Sequence, residues 1–379
     1  MKNSKEKEIK LFDCSKSSGE VDDLSSIFST GSIASGSEIE MLESNLCSFL
    51  GVNHAIGLSD MTSAISVLLR SLGIQKGDEI LCSSFNCLSS TSAIASLGVK
   101  AIWVDLMEGY PSMCIEDCKS KLSKRTKAVF LYHIAGYPSD VLAYKKFCTK
   151  NNLILIEDAN NALGSSWGND YIGSKGDFSI FSFYPNRPVS SIEGAAIGLD
   201  NKKYFSKIQS LKKYGLNLST YRDHIGEINS ESDVEELSFN SSLSNVHAFL
   251  ASKSLASLDS RLEIVRRHAA EYTKMFSDIS EVKLFNIPSK ANPVYWAYLI
   301  SIKDSKQLIK YLRKHNIHAS KLHYPNHRYS AFNCSKKLGD TLVQTQLFFN
   351  DVVCLPCGWW LGKRDIERVI DTIKKYVSK

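Results

Sequence analysis

The sequence lacks a long apolar run: nothing in it approaches the roughly 20 residues needed to span a bilayer. Its first residues, Met1-Lys-Asn-Ser-Lys-Glu-Lys-Glu8, have no apolar core of the kind a signal peptide carries, so a cytoplasmic protein without a membrane partner is expected. Blocks of like charge are absent too. The 46 Lys and Arg set against 40 Asp and Glu leave +6 over 379 residues, and the basic residues come singly or in pairs such as Lys212-Lys213 and Arg266-Arg267. Solvated helix faces account for them, which argues against nucleic acid as a partner. The pair Cys354-Leu-Pro-Cys357 has no second pair and no spaced histidines. Most of the ten cysteines lie in apolar segments, as reduced core thiols do, so no metal site is expected. No internal repeat is visible.

What is present is an ordinary globular composition, 43% hydrophobic, long enough for one large domain with an appendage or for two to three domains at about 150 residues each. Residues 1–30 are polar and read as an N-terminal arm. From about residue 38, short apolar runs alternate with helical periodicity. The strand candidates are 55–58, 79–82, 100–104, 128–132, 153–156, 178–183 and 195–198, with helical patterns at 62–73, 88–97, 114–122 and 139–151. That alternation predicts an α/β fold, a mostly parallel seven-stranded sheet sandwiched by helices, within a large domain of residues 31–245. A helix at about 201–214, an exposed polar loop at 217–236 and a long connecting helix at 246–276 follow. With that helix begins the C-terminal part, 246–379, which reads as a smaller α+β domain with strands at 295–302 and 352–355 and helices at 305–315 and 364–377.

Three strings stand in a telling order: Ile156-Glu-Asp-Ala-Asn-Asn-Ala-Leu-Gly164, Gly173-Ser-Lys-Gly-Asp177 and Phe181-Ser-Phe-Tyr-Pro185. With Ser59-Asp-Met-Thr-Ser-Ala64, His133-Ile-Ala-Gly-Tyr-Pro138, Phe239-Asn240 and His323-Tyr-Pro-Asn-His327, they make the chain resemble the DegT/DnrJ/EryC1/StrS family of nucleotide-sugar aminotransferases, from about Gly36 onward. The resemblance implies a fold-type I pyridoxal phosphate (PLP) architecture. It puts Asp158 at the pyridine nitrogen, where an acid keeps the ring protonated as an electron sink. By position alone Asp158 is equally a strand-end cap. The resemblance likewise puts Thr62, Ser63 and Ser182 at the cofactor phosphate, Asn161 beside the ring hydroxyl, and Asn240 at the phosphate of a neighbouring subunit. It turns His323, Tyr324 and His327 toward the sugar cleft.

The departures gather on one ligand. Where the family's lysine forms its Schiff base, this chain has Arg187, whose pKa above about 12 leaves no nucleophilic form near neutral pH. The position of the ring-stacking aromatic is Cys87, which forfeits stacking worth about 1 kcal/mol unless Phe85 turns in. The glycine of the phosphate turn is Met61, and Asn161 is one methylene shorter than the usual glutamine. Normal transamination is therefore not expected. PLP or pyridoxamine phosphate (PMP) would be held without a covalent link, if at all. The expected ligand is a nucleotide sugar, and the expected assembly a homodimer or a heterodimer with an active homologue. Against an aminotransferase-like enzyme of polysaccharide biosynthesis stand two alternatives: an inactive sugar-nucleotide-binding or partner subunit, and a PMP-dependent dehydratase-like enzyme, since one family branch replaces the lysine by histidine.

Overall fold

The computed structural model describes residues 7–14, 24–332 and 341–379. Seven strands form the central sheet: β1 (His54–Leu58), β2 (Glu79–Ser83), β3 (Lys100–Val104), β4 (Thr126–Tyr132), β5 (Ile154–Asp158), β6 (Phe178–Ser182) and β7 (Ala195–Leu199). Their order is β1-β7-β6-β5-β4-β2-β3, and only β7 runs against its neighbours. Successive side chains of a strand face opposite sides of a sheet. Leu81, Val129, Leu131, Leu155 and Phe181 thus pack under the helices Ser37–Leu50 and Val141–Lys150, while Ile80, Phe130, Ile156 and Ile180 face Met61–Ser71 and Lys202–Leu211. The seven strands and the helices between them match the sequence expectation to within a few residues.

The smaller sheet is antiparallel, β8 (Lys283–Leu284), β9 (Tyr298–Ser301) and β10 (Val352–Leu355), packed against helices Leu258–Phe276, Ser305–Lys314 and Lys363–Val377. Three expectations differ from the structure. The long connecting helix is two helices, Asn245–Ala256 and Leu258–Phe276, broken at Ser257 (φ −96°, ψ 1°), whose N–H bonds Ser254 O three residues back. The strand predicted from Tyr295 begins at Tyr298, because Tyr295 takes φ 43° and turns the chain. The arm is docked where it is described: Ile9 N–H donates to Asn316 O at 2.8 Å, Ile9 O accepts from His318 N–H at 2.9 Å, and residues 24–30 form a helix that buries Ile27. Residues 1–6 and 15–23 of that arm lie outside the described residues.

One buried carboxylate fixes the centre of the sheet. Glu157 on β5 is fully buried and accepts from the N–H groups of Gly173 (2.9 Å), Lys175 (3.2 Å) and Gly176 (2.6 Å). His133 Nε2 lies 3.2 Å from it, and Ser139 N–H donating to His133 Nδ1 leaves Nε2 as the donor. The glycines are required: Gly173 has φ +97°, and a Cβ on it would come within 2.3 Å of the Phe181 ring. Glu157→Ala leaves three N–H donors and an imidazole without their acceptor inside the core, so an expected loss of about 3–5 kcal/mol should appear in urea unfolding monitored by circular dichroism.

Candidate functional site

Ser83, Tyr132, Asp158 and Ser182 are the last residues of four parallel strands, so they meet at one edge of the sheet, where α/β folds bind ligands. Asp158 is fully buried, with Oδ2 accepting from Ser90 Oγ (2.9 Å) and Oδ1 from Asn160 Nδ2 (2.8 Å). Burial pushes its carboxyl up, and the bonds from Asn160 and Ser90 only partly offset that. No cation bonds it among the described residues. An acid in this state is suited to share a proton with a basic ring nitrogen.

Asn161 Nδ2 donates to Tyr132 OH at 2.8 Å, which leaves that hydroxyl to donate to His323 Nε2 at 3.0 Å. Phe85 meets the His323 ring edge-on, with centroids 5.4 Å apart, rather than presenting a stacking face to the site. Burial, with the Arg187 guanidinium adding to it, pushes His323 down to about 3, so it is neutral near pH 7 and fit to accept the Tyr132 proton.

Arg187 is 9% exposed. Its Nη1 donates to Asn186 Oδ1 at 2.8 Å, and its guanidinium carbon lies 4.6 Å from the centroid of Trp296. Trp296 in turn stacks on Phe12 of the N-terminal segment at 4.3 Å and donates its indole N–H to Asn186 O. Arg187 Nε and Asn161 Oδ1 are buried without a partner. Burial lowers the guanidinium from its ordinary value, and the groups acting against that are Tyr132, Cys87 and Asp158. Cys87, with its Sγ 3.0 Å from Ser89 Oγ, therefore shares the cleft with Arg187.

The remaining predicted residues divide. Ser182 is at the strand end, its Oγ accepting from Tyr184 N–H at 3.3 Å. Thr62 is exposed on the first turn of helix Met61–Ser71, and Ser63 bonds Asp60 instead of facing an open cradle. Asn240 is exposed, its Oδ1 accepting from Ser242 N–H at 3.2 Å. His327 pairs with Ser84 Oγ at 2.7 Å, just beyond the end of β2, while Tyr324 packs against Tyr329 and Phe349 at the surface.

The sequence profile of the DegT/DnrJ/EryC1/StrS aminotransferase family matches residues 15–374. The chain belongs to that family. It is 26% identical over 368 residues, 95% of each chain, to a UDP-4-amino-4,6-dideoxy-N-acetyl-beta-L-altrosamine transaminase of Campylobacter jejuni. Its fold superposes on the aminotransferase TlmJ of Streptoalloteichus hindustanus with a TM-score of 0.90 at 21% identity, covering 98% of this chain and 99% of the other. A putative sugar aminotransferase of Streptococcus pneumoniae, solved in its PMP form, gives 0.89 at 19% identity, with 98% and 99% covered. The DegT family and its solved relatives are PLP- or PMP-dependent aminotransferases.

The residues here fit one end of that cofactor and not the others. Asp158, held by Ser90 and Asn160, suits the ring nitrogen. Arg187 does not suit the aldehyde carbon, because a delocalised guanidinium forms no Schiff base, and at the start of helix Met61–Ser71 both the N–H and the hydroxyl of Ser63 are already taken by Asp60.

Several neighbours escaped sequence reasoning. Ser90, Asn160 and Tyr132 are ordinary polar residues until the strands align. Trp296 reaches Arg187 from 109 residues away in sequence, and Phe12 of the N-terminal segment backs Trp296. Asp60 did carry a signal, an Asp directly before an apolar helical run, which is an N-cap pattern. His323 is open to a direct check. Its protonation is favoured in the unfolded chain, with an ordinary pKa near 6.5, and disfavoured in the fold at about 3. The unfolded state thus binds the extra proton between those values, and stability falls as pH drops from about 6.5 toward 3. NMR should find no His323 titration between pH 5 and 8, and His323→Gln should flatten the acid limb of the stability curve.

Proposed function

We propose that this chain is an aminotransferase-like member of nucleotide-sugar and surface-polysaccharide biosynthesis in which transamination by the lysine route has been lost, leaving a nucleotide-sugar-binding or partner subunit. The observation that carries the reading is Arg187: a buried guanidinium at the position of the Schiff-base lysine, with an unpartnered Nε in the cleft. A fixed cation of this kind clamps phosphate or carboxylate oxygens well and abstracts protons poorly. The dehydratase-like alternative needs a base that works near neutral pH. His323, held at about 3 and engaged with Tyr132, is not one.

The partner-subunit form of the proposal has separate support. Ile225 (72% exposed), Leu237 (79%) and Phe239 (80%) leave large apolar side chains in water on the segment that leads to Asn240. Such a patch favours burial against a second chain of the same fold, a homodimer or an active homologue, with Asn240 offered across the interface.

Protein mixed with PLP and borohydride is expected to show no covalent adduct by mass spectrometry, whereas Arg187→Lys forms some at millimolar PLP. An adduct on the unaltered protein through a cleft lysine would end the proposal. A uridine or thymidine diphosphate sugar should raise the melting temperature of the unaltered protein without added cofactor.

A further inference from the structure

The helix that opens the phosphate corner already holds an anion of its own. Asp60 precedes helix Met61–Ser71 in an extended conformation (φ −163°, ψ 168°). Its Oδ1 accepts from Ser63 N–H at 2.9 Å, and its Oδ2 accepts from Ser63 Oγ at 2.6 Å and Ser59 Oγ at 2.8 Å. A phosphate bound at a helix start uses the same kinds of group, first-turn N–H donors and hydroxyls. Here they converge on a carboxylate from the chain itself. Burial alone would raise that carboxyl, but the bonds from Ser63, Ser59 and Thr62 N–H outweigh it and hold Asp60 below its ordinary value, so it is charged at neutral pH.

Two neighbours make the corner less hospitable still. Met61 is 7% exposed where close approach of a phosphate needs bare backbone. Glu193, at the end of the loop that follows Arg187, is a second carboxylate in the field of Asp60: burial raises it first, and the Asp60 charge raises it further. The cation of the cleft, Arg187, spends its Nη1 on Asn186 and lies against Trp296.

We infer that Asp60 stands in place of a bound phosphate, its carboxylate filling the anion position at the start of helix Met61–Ser71, so that the site discriminates against phosphate-bearing pyridoxal ligands and not against phosphate-free ones. This goes beyond the loss of the lysine and is independent of it, since Asp60 acts on the phosphate and Arg187 on the aldehyde. It makes Asp60 a specificity-determining residue.

The test compares PLP with pyridoxal, which lacks only the phosphate, by equilibrium quenching of tryptophan fluorescence in the full-length protein and in Asp60→Asn. Asparagine retains helix capping, so the fold is preserved while the charge is removed; Asp60→Ser, checked by circular dichroism, is the second variant. The expected result is that the unaltered protein binds PLP no more tightly than pyridoxal, and that either variant tightens PLP by about tenfold or more while leaving pyridoxal unchanged, as removal of a like charge at a helix start requires. Tighter binding of PLP than of pyridoxal by the unaltered protein, or equal shifts of both ligands in the variants, overturns the inference. Because the readout is a ratio of two ligands and needs no covalent adduct, it stands whether or not the Arg187→Lys experiment succeeds.

Discussion

A carboxylate cannot be buried in a sheet unless the chain brings donors to it, and Glu157 imposes that requirement at the centre of this fold. Three backbone N–H groups from the turn 173–176 and the ring of His133 satisfy it, tying β4, β5 and the approach to β6 together. Asp177, next in that turn, accepts from Leu155 N–H and from Lys145, closing the same turn from its other side. With β5 locked in register, Asp158 follows Glu157 on the opposite face, beside Tyr132 on β4 and Ile180 on β6. The cleft therefore inherits its geometry from an interaction that takes no part in chemistry.

Around that frame three charged groups line the cleft and its approach. An acid kept above its ordinary range by burial, Asp158, has no cation bonded to it among the described residues. A permanent cation, Arg187, lies buried in the cleft, and it helps to keep His323 neutral. A charged Asp60 sits where an anion would be received. Each arrangement is stable by itself: Asp158 has Ser90 and Asn160, Asp60 has Ser59 and Ser63, and Arg187 has Asn186 and the Trp296 ring. Together they sit within an architecture shared with the solved relatives.

Much of the architecture was legible in the sequence because it rests on periodicity. Apolar runs of four to six residues separated by helical spacing marked the seven strands, and the string through Glu157-Asp158 marked the end of the fifth. Where expectation and structure part, the cause is a contact distant in sequence or a backbone turn. The break at Ser257 does not disturb the apolar spacing of the helices on either side, so composition does not reveal it. The bend at Tyr295 sends Trp296 toward Arg187, and the docking of residues 7–14 depends on backbone groups of residues 316–318, far along the chain. Tyr324 and His327 share a short string with His323, yet the turn at Pro325 and the bonds of Asn326 to Ser84 O, Asn86 O and Thr91 carry them elsewhere.

The sequence by itself determined which residue types stand at the family's motif positions, because side-chain chemistry at a fixed place in a string is local information: arginine cannot replace a Schiff-base lysine in any conformation. Only the tertiary structure decided what those residues meet. That the Arg187 guanidinium lies against Trp296 and keeps a buried, unpartnered Nε, that His323 receives the Tyr132 proton, and that Asp60 spends its carboxylate on Ser63 all depend on segments separated by anything from three to nearly two hundred residues. Burial and distance, which set how strongly charges act on one another, exist only once the chain has folded.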